Sequence, residues 1–409
     1  MASEHDCVVT AGHLRQALSQ DKRPISFFLG AGCPMSISVT QNGNSKPLIA
    51  DVAGMTKQVF ETLSSSELKQ SLQTVLKHFE TDGKPKPNIE EFLSHIRLLR
   101  QVAGKDSVRG LKAEDLSKLD DTSCKFISDA ASVALPNVNT PYHHLTAWIG
   151  AISRMYPIQM FTTNYDLLAE QALEENRVPY FDGFLGSRDT FFDLQAMEQD
   201  QLPIRWARLW KIHGSVNWVE GDDGKIHRRS SSSSKQLIYP SHLKYDESRR
   251  MPYLAMLDRL RAFLSQPAAI LIVCGYSFRD EHLNEVMLQG LQGNSTASIF
   301  ALLYSKLSNY DSATQLASTR SNLNILARDG GVLGTRAAKW STSDSKPPQP
   351  EGPGVIWTAD PQNQSTFHSE FVLGDFAKLG LFLQDIIGRS DRQLKSPEPA
   401  AAGGATNAS

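Results

Sequence analysis

The sequence is poor in cysteine and in net charge, and each shortage excludes a class of protein. Its four cysteines, Cys7, Cys33, Cys124 and Cys274, are far apart and form no CxxC pair. This spacing argues against a disulfide framework and against a structural zinc site of the usual ligand spacing. The formal net charge of −2 gives no polyanion-binding pattern, so no direct nucleic-acid site is expected.

Long apolar runs and a secretory leader are missing as well. No apolar run approaches the roughly 20 residues that span a bilayer, so no membrane segment is expected. The first residues, including Glu4, His5 and Asp6, lack the charged-then-apolar pattern of a signal peptide. No P-loop (GxxxxGK followed by Ser or Thr) occurs, so if ATP is used, another protein must bind it. We therefore expect a cytoplasmic, metal-independent protein.

What the sequence does contain is an alternation of short apolar runs with helical patterns. The 409 residues suffice for two domains, or for one large domain with insertions. Alternating strands and helices predict an α/β fold, a Rossmann-like, mostly parallel sheet with helices on both faces. The apolar runs predicted as strands are 25–29, 158–161, 209–212, 268–274 and 298–304.

Composition and periodicity divide the chain into segments. The prediction is an N-terminal helical segment (1–24), a Rossmann-like domain (25–335) with a helical insertion at about 48–135, a linker with a C-terminal docking helix (336–390), and a disordered tail (391–409). Residues 340–365 are expected to form the loop, and 367–387 the helix. The serine run 230–234 is expected to be a mobile loop.

Small or polar residues follow four of the predicted strands, where ligands of open α/β sheets bind. They are Gly30-Ala31-Gly32, Thr163-Asn164-Tyr165-Asp166, His213-Gly214 and Gly275-Tyr276-Ser277. Taken singly, each has an ordinary structural explanation. Asn164 and Asp166 precede a helical pattern and could cap it, and a lone GxG is common in turns. Together, and in this order, the four motifs are specific.

The series Phe-Leu-Gly-Ala-Gly-Cys, Thr-Thr-Asn-Tyr-Asp, Ile-His-Gly-Ser and Gly-Tyr-Ser-Phe-Arg-Asp resembles the motifs of the sirtuin superfamily, over residues 25–305. The wording looks most like the bacterial branch, which contains the sirtuin-like NAD hydrolases of anti-phage defence. Two departures from the deacylase sirtuins matter. Residues 215–274 hold only Cys274, so the zinc ribbon is absent, and Pro34 replaces a Ser ahead of a missing lid. The resemblance thus favours cleavage of NAD by water over deacylation.

The resemblance also implies roles for individual residues. Asn164 would hydrogen-bond ribose and water, His213 would act as a base, and Asp166 would lie near the nicotinamide amide. The remaining positions would contact NAD, the substrate: Gly30, Ala31, Gly32 and Cys33 at the pyrophosphate, Thr163 at the nicotinamide ribose, and Gly275, Tyr276 and Ser277 on the adenosine side. No metal ligand is predicted. Cys33 is expected to contribute its backbone rather than act as a nucleophile.

Two other functions remain open at this point. The first is a module that senses NAD or an ADP-ribose derivative without cleaving it, and the second is an NAD-dependent deacylase. Because a free NAD hydrolase would be toxic, the resemblance implies control by homo-oligomerisation or by a partner, such as a hexameric translocase-type ATPase. Segments 48–135 and 367–387 could provide assembly surfaces, or could simply pack within the chain.

Overall fold

The computed structural model describes residues 4–41, 43–104, 106–221, 225–229, 251–344 and 354–388. The strands, in chain order, are β1 (Glu4–His5), β2 (Ile25–Leu29), β3 (Ser38–Gln41), β4 (Asn44–Pro47), β5 (Ser107–Val108), β6 (Leu111–Lys112), β7 (Gln159–Thr162), β8 (Tyr180–Phe181), β9 (Phe184–Leu185), β10 (Thr190–Phe192), β11 (Ala207–Lys211), β12 (Trp218–Glu220), β13 (Ile226–Arg228), β14 (Ile270–Cys274), β15 (Ser298–Leu302), β16 (Leu323–Leu326), β17 (Gly330–Leu333), β18 (Arg336–Trp340), β19 (Thr342–Ser343), β20 (Val355–Ala359) and β21 (Phe367–Phe371).

The helices alternate with the strands of the main sheet. They are α1 (Cys7–Leu18), α2 (Gly32–Met35), α3 (Val52–Ser64), α4 (Lys69–Thr81), α5 (Ile89–Ala103), α6 (Ala113–Ala131), α7 (Pro141–Ala151), α8 (Leu168–Glu175), α9 (Leu194–Gln199), α10 (Tyr253–Leu264), α11 (Glu281–Gly293), α12 (Asp311–Ala317) and α13 (Phe376–Ile386). A 3₁₀ turn, Leu307–Asn309, precedes α12. Within the described residues, no helix has the length and apolar character required to cross a bilayer.

Ten of these strands form one sheet, in the order β1-β18-β17-β16-β15-β14-β2-β7-β11-β8. The seven strands from β16 to β8 are parallel, and β17 is antiparallel to both of its neighbours. The stretch β11-β7-β2-β14-β15-β16 has the 3-2-1-4-5-6 order of a doubly wound fold. The predicted mostly parallel α/β architecture is therefore confirmed, and its strand order reverses between β2 and β14.

The central strands are buried along their whole length because both faces of the sheet are covered. Every residue of β2 and of β14 is buried. On one face the ring of Phe27 meets Trp148 of α7 edge-on at 5.4 Å between centroids. On the other face Phe28 meets Tyr276 at 5.1 Å. Two apolar cores, one on each side of the sheet, hold the helices in place.

The chain between β2 and β7 is largely helical, as its periodicity predicts. Helices α3 to α6 pack on one another, and their buried residues belong to the same core as β2, β7 and α7. A buried ion pair joins α5 to α6, with a guanidinium nitrogen of Arg97 3.0 Å from a carboxylate oxygen of Asp120. This insertion is consequently part of the body of the protein, and one of its edges faces the carboxyl ends of the strands.

Two predictions about the chain ends need correction. The N-terminal segment is not only helical, because β1 pairs in parallel with β18 at the sheet edge. The segment 336–390 contains strands as well as a helix, since β20 and β21 form an antiparallel hairpin. In β21 the side chains of Ser369 and Phe371 are buried with a period of two, which suits a strand better than the predicted helix.

The last helix begins at Phe376 and not at Phe367. Its N-cap residue is Asp375, whose side chain accepts a hydrogen bond from the Ala377 N–H at 2.9 Å. It packs against α7, where the rings of Phe376 and Tyr142 meet at 5.0 Å. The predicted docking of this helix is thus intramolecular. The serine run 230–234, the centre of the hairpin at 222–224, part of the predicted linker (345–353) and the predicted tail 391–409 lie outside the described residues.

Candidate functional site

The ends of four neighbouring strands lie in one row at the edge of the sheet. The register pairs Cys274 of β14 with Leu29 of β2, Leu29 with Thr162 of β7, and Thr162 with Lys211 of β11. The four predicted motifs begin one or two residues after these positions. The fold therefore brings all four to one edge, on both sides of the point where the strand order reverses.

The loops after β2 and β14 contain glycines because their backbones lie in close contact. The Gly30 N–H donates to the Cys274 carbonyl and the Gly32 N–H to the Gly275 carbonyl, both at 2.9 Å. A Cβ on Gly32 would lie 2.8 Å from the Gly275 Cα, and one on Gly275 would lie 2.6 Å from the Cys33 nitrogen. Gly275 also has a φ of +70°, which favours glycine. The contact between the two loops is thus sufficient to explain why Gly32 and Gly275 have no side chain.

A cavity of about 800 Å³ opens beside this row. Eight of the eleven predicted site residues line it: Ala31, Thr163, Asn164, Asp166, His213, Gly275, Tyr276 and Ser277. Gly30, Gly32 and Cys33 are not among its lining residues. Cys33 is fully buried, its thiol donates to the Cys274 carbonyl at 3.3 Å, and burial raises its pKa well above the ordinary value. Such a thiol is a poor nucleophile.

Asn164 and Asp166 divide between them the two roles that the sequence leaves open. The Asp166 carboxylate accepts a hydrogen bond from the Leu168 N–H at 3.1 Å at the start of α8. The Asn164 side chain instead donates to the Gly30 carbonyl at 3.1 Å, and its own N–H donates to the Thr162 hydroxyl at 3.0 Å. The Asp166 side chain thus binds the first N–H of α8, although the N-cap residue itself is Leu167, whereas the Asn164 amide is held between the ends of β2 and β7.

Asp166 is buried next to a lysine that does not pair with its carboxylate. Burial raises the pKa of Asp166, and the nearby Lys211 cation opposes that shift. The Lys211 ammonium donates to the backbone carbonyl of Asp166 and pairs with the carboxylate of Glu170 at 2.8 Å. Burial also raises the pKa of Glu170, again opposed by Lys211. One cation thus holds together the loop after β7, helix α8 and the end of β11.

His213 follows β11 and faces a carboxylate from the far side of the row. Its Nε2 atom lies 3.6 Å from Oδ2 of Asp280, and each side chain is about 15% exposed (14% and 15%). Gly214, with a φ of +92°, turns the chain directly after the histidine. A histidine beside a carboxylate at the edge of a cavity is suited to accepting a proton.

The loop from Gly275 to Asp280 is held from inside. The Tyr276 hydroxyl donates to the side-chain oxygen of Asn284 at 2.9 Å and lies 3.1 Å from the Asp280 carbonyl. Burial raises the pKa of this tyrosine. Phe278 has a φ of +59°, a strained conformation for a large side chain. Its ring is nevertheless buried against Tyr276, with 5.0 Å between centroids.

The opposite wall of the cavity comes from the helical insertion and from the start of α11, and it is acidic. Seven carboxylate residues line the cavity: Asp51, Glu90, Glu91, Asp166, Asp280, Glu281 and Glu285. Among the lining residues in the described part of the chain, Arg279 is the one arginine and there is no lysine. Sequence reasoning missed all of these except Asp166. Asp280 was within reach, since it ends the quoted Gly-Tyr-Ser-Phe-Arg-Asp motif, whereas the insertion carries no motif.

Three helices begin at this cavity, and each has a capped N-terminus. The side chains of Asp51, Asn88 and Asp280 accept hydrogen bonds from the first turns of α3, α5 and α11 at 2.8, 2.9 and 3.2 Å. The positive ends of these helices offset part of the carboxylate charge. Despite the many carboxylates, no group of three or more His, Cys, Asp or Glu within the described ranges is arranged to hold a metal ion.

Part of the chain is similar to a known domain family. Residues 159–325 match the SIR2-like domain, a range that contains Asn164, Asp166, His213 and the loop from Gly275 to Asp280. A search of curated proteins found no match. A structure described under the mechanism and regulation of Sir2 enzymes is similar, with 11% identity over 74% of this chain and 89% of that one, and a TM-score of 0.32. A Sir2 homologue in complex with NAD has 12% identity over 76% and 89%, and a TM-score of 0.31.

Proposed function

We propose that the protein is an NAD glycohydrolase, which cleaves the bond between nicotinamide and ribose and releases nicotinamide and ADP-ribose. The observation that carries the proposal is the meeting of Asn164, Asp166 and His213 in one cavity, at the edge where the strand order reverses. Dinucleotides bind at this position in doubly wound folds. The match of residues 159–325 to the SIR2-like domain supports the same choice of substrate.

The residues present suit a reaction that passes through an oxocarbenium-like transition state. The bond from the ribose C1′ to the nicotinamide nitrogen breaks, and its electron pair leaves with nicotinamide. A water oxygen forms the new bond to C1′, and His213 accepts the proton that this water loses. Asn164, fixed by Gly30, orients the ribose and the water. The Asp166 carboxylate stabilises the positive charge that develops on the sugar.

The charge distribution indicates how the substrate would be oriented. The nicotinamide ring is cationic and the pyrophosphate is anionic, so carboxylates favour the first and oppose the second. Arg279, the one arginine among the lining residues in the described part of the chain, lies in the loop after β14. We therefore place the pyrophosphate toward that loop and the nicotinamide toward Asp166. A cavity of about 800 Å³ is within the usual range for ligands of this size.

The direct test is NAD turnover by the purified full-length chain, measured as nicotinamide release. Asn164→Ala and His213→Ala should each lower the turnover rate by about 100-fold or more. His368→Ala is the matched control, because this histidine pairs with Asp360 at the surface, outside the cavity. It should behave like wild type. If the wild-type chain consumes no NAD in any assembly state, the enzyme proposal is wrong, and equal activity of all variants would refute the site.

A second function, binding of NAD or an ADP-ribose derivative without cleavage, is favoured by one observation. The side chains of Asn164 and Asp166 already have hydrogen-bond partners within the protein, Gly30 and Leu168. A binding pocket without turnover would use them in this way. Calorimetric binding of NAD with no nicotinamide released would select this alternative. Deacylation is less well supported, since residues 215–274 hold only one cysteine and thus no zinc ribbon.

We further propose that the enzyme depletes NAD during anti-phage defence and is controlled by assembly. We expect control because an unregulated NAD hydrolase would be toxic to its own cell. Homo-oligomerisation or a hexameric translocase-type ATPase would supply the control. Native mass measurement of the purified protein, with and without co-purifying proteins, followed by an NAD assay of each species, tests this. Equal activity of all species would argue against control by assembly.

A further inference from the structure

The Asp280 carboxylate lies against His213, and the contact crosses the site. Strands β11 and β14 are separated in the sheet by β7 and β2, which is three strand spacings or about 14 Å. The loops after β11 and β14 nevertheless approach until His213 Nε2 and Asp280 Oδ2 are 3.6 Å apart. The pair therefore spans the ends of β2 and β7, where Gly30 and Asn164 lie.

The carboxylate of Asp280 is fixed independently of His213. Its Oδ1 atom accepts a hydrogen bond from the Leu283 N–H at 3.2 Å, which caps helix α11. Its backbone carbonyl lies 3.1 Å from the Tyr276 hydroxyl, which is itself bound to Asn284. The second carboxylate oxygen, Oδ2, is the one turned toward the histidine. A rigid carboxylate of this kind can orient a ring and select its tautomer.

We propose that Asp280 is the positioning residue for His213: it holds the imidazole with the proton on Nε2, so that Nδ1 is the proton acceptor in the reaction. This inference rests on the proposed NAD hydrolysis. The proton lost by the attacking water goes to Nδ1, and the imidazolium that forms is stabilised by the Asp280 carboxylate. In this role Asp280 acts through the histidine.

The test replaces the carboxylate and keeps the helix cap, because Asn and Ser are as good at this position as Asp. Asp280→Asn and Asp280→Ser should lower kcat by about 10- to 100-fold with KM within about threefold of wild type, since only proton transfer is affected. Asp375→Asn is the matched control. It removes the charge of a half-buried aspartate that caps α13, outside the cavity, and should leave both constants unchanged.

A second measurement does not need turnover. In protein with ¹⁵N-labelled histidine, the His213 signal, assigned by its loss in His213→Ala, should report a proton on Nε2 in wild type and a mixture of tautomers in Asp280→Asn. An unchanged tautomer together with a kcat within threefold of wild type would overturn the assignment of Asp280. If wild-type protein releases no nicotinamide, the proposed function fails, while the ¹⁵N spectra still decide whether Asp280 positions the ring.

Discussion

The ammonium nitrogen of Lys211 lies 2.8 Å from a carboxylate oxygen of Glu170, and both side chains are buried. Lys211 ends β11, two residues before His213, and it also donates to the backbone carbonyl of Asp166. The Val216 N–H adds a hydrogen bond of 2.9 Å to the Tyr165 carbonyl. The loops that carry Asn164 and His213 are thus tied together beneath the cavity by an ion pair that faces no substrate.

Lys211→Met should destabilise the fold by about 3–5 kcal/mol, because it leaves the Glu170 carboxylate buried without its cation. Urea unfolding measures this difference. The double variant Lys211→Met with Glu170→Gln should recover part of the loss. Lys57→Met is the control, since Lys57 and Glu61 form an exposed pair at 3.9 Å that contributes less than about 1 kcal/mol. Equal losses of unfolding free energy in Lys211→Met and Lys57→Met would contradict this structural role for the pair of Lys211 and Glu170.

Asp166→Asn should make the fold more stable at neutral pH while impairing the site. Because burial raises the pKa of Asp166 in the folded protein, ionisation of this group costs stability as the pH rises from its ordinary value through the folded value. Asn keeps the hydrogen bond from the Leu168 N–H and has no charge to bury. The stability of the variant relative to wild type should increase from pH 4 to pH 7.5 in urea titrations.

The Asp166 charge also raises the pKa of Glu170, so removing it relieves a cost at Glu170 that has the same sign. Buried acids that are not coupled to Asp166 are present in both proteins and cancel to first order in this comparison. Asp182, whose pKa is also raised by burial, is one of them. A difference in stability that is constant between pH 4 and pH 7.5 would mean that the Asp166 carboxylate is not ionised at a cost in the folded state.

Gly275→Ala should disrupt the contact between the loops after β2 and β14. The added Cβ would lie 2.6 Å from the Cys33 nitrogen, in a residue whose φ is +70°. We expect a loss of at least about 2 kcal/mol in thermal or urea unfolding, together with weaker binding of NAD. Gly12→Ala is the control. Gly12 lies in α1 with open space around it, so alanine should stabilise the protein by about 0.5–1 kcal/mol.

The acid sensitivity of the helical insertion should depend on His95. Its pKa is lowered by burial and then by the neighbouring His78, whose Nδ1 atom lies 3.3 Å from the His95 Nε2 atom. The unfolded chain therefore binds a proton before the folded protein does, and stability is lost as the pH falls below about 6.5. In His95→Gln this loss between pH 7.5 and pH 5.5 should be smaller. Thermal unfolding at both values checks it, and parallel curves for the two proteins would exclude His95 as the cause.

The row of site residues could be predicted from the sequence because strong local signals define it. Apolar runs ending at Leu29, Ile212 and Cys274 mark buried strands, and parallel strands place their carboxyl ends at one edge. The order of the strands within the sheet cannot be inferred from these apolar runs. It depends on how helices of the insertion and of the second half cover the two faces, which is a property of the whole chain.

The acidic wall and the role of Asp280 could not be predicted, since they depend on distant contacts. Glu90 and Asp51 belong to helices whose sequence records only an apolar stripe, and no motif indicates that their first turns face the cavity. The start of the last helix was placed too early because Phe367 and Phe371 fit a four-residue step as well as a strand. Only pairing with β20 distinguishes the two.

The hydrogen bond from Asn164 to Gly30 joins residues 134 positions apart in the chain. The contact between His213 and Asp280 also requires the segment after β14, which is synthesised later still. Strand β2 pairs with β7 on one side and with β14 on the other. During translation, the cavity therefore cannot form until α11 has left the ribosome. A nascent or truncated chain that ends before Ile270 lacks the loop of Gly275 and the carboxylate that faces His213. If the chain hydrolyses NAD as proposed, a nascent chain should therefore be inactive until the sheet is complete.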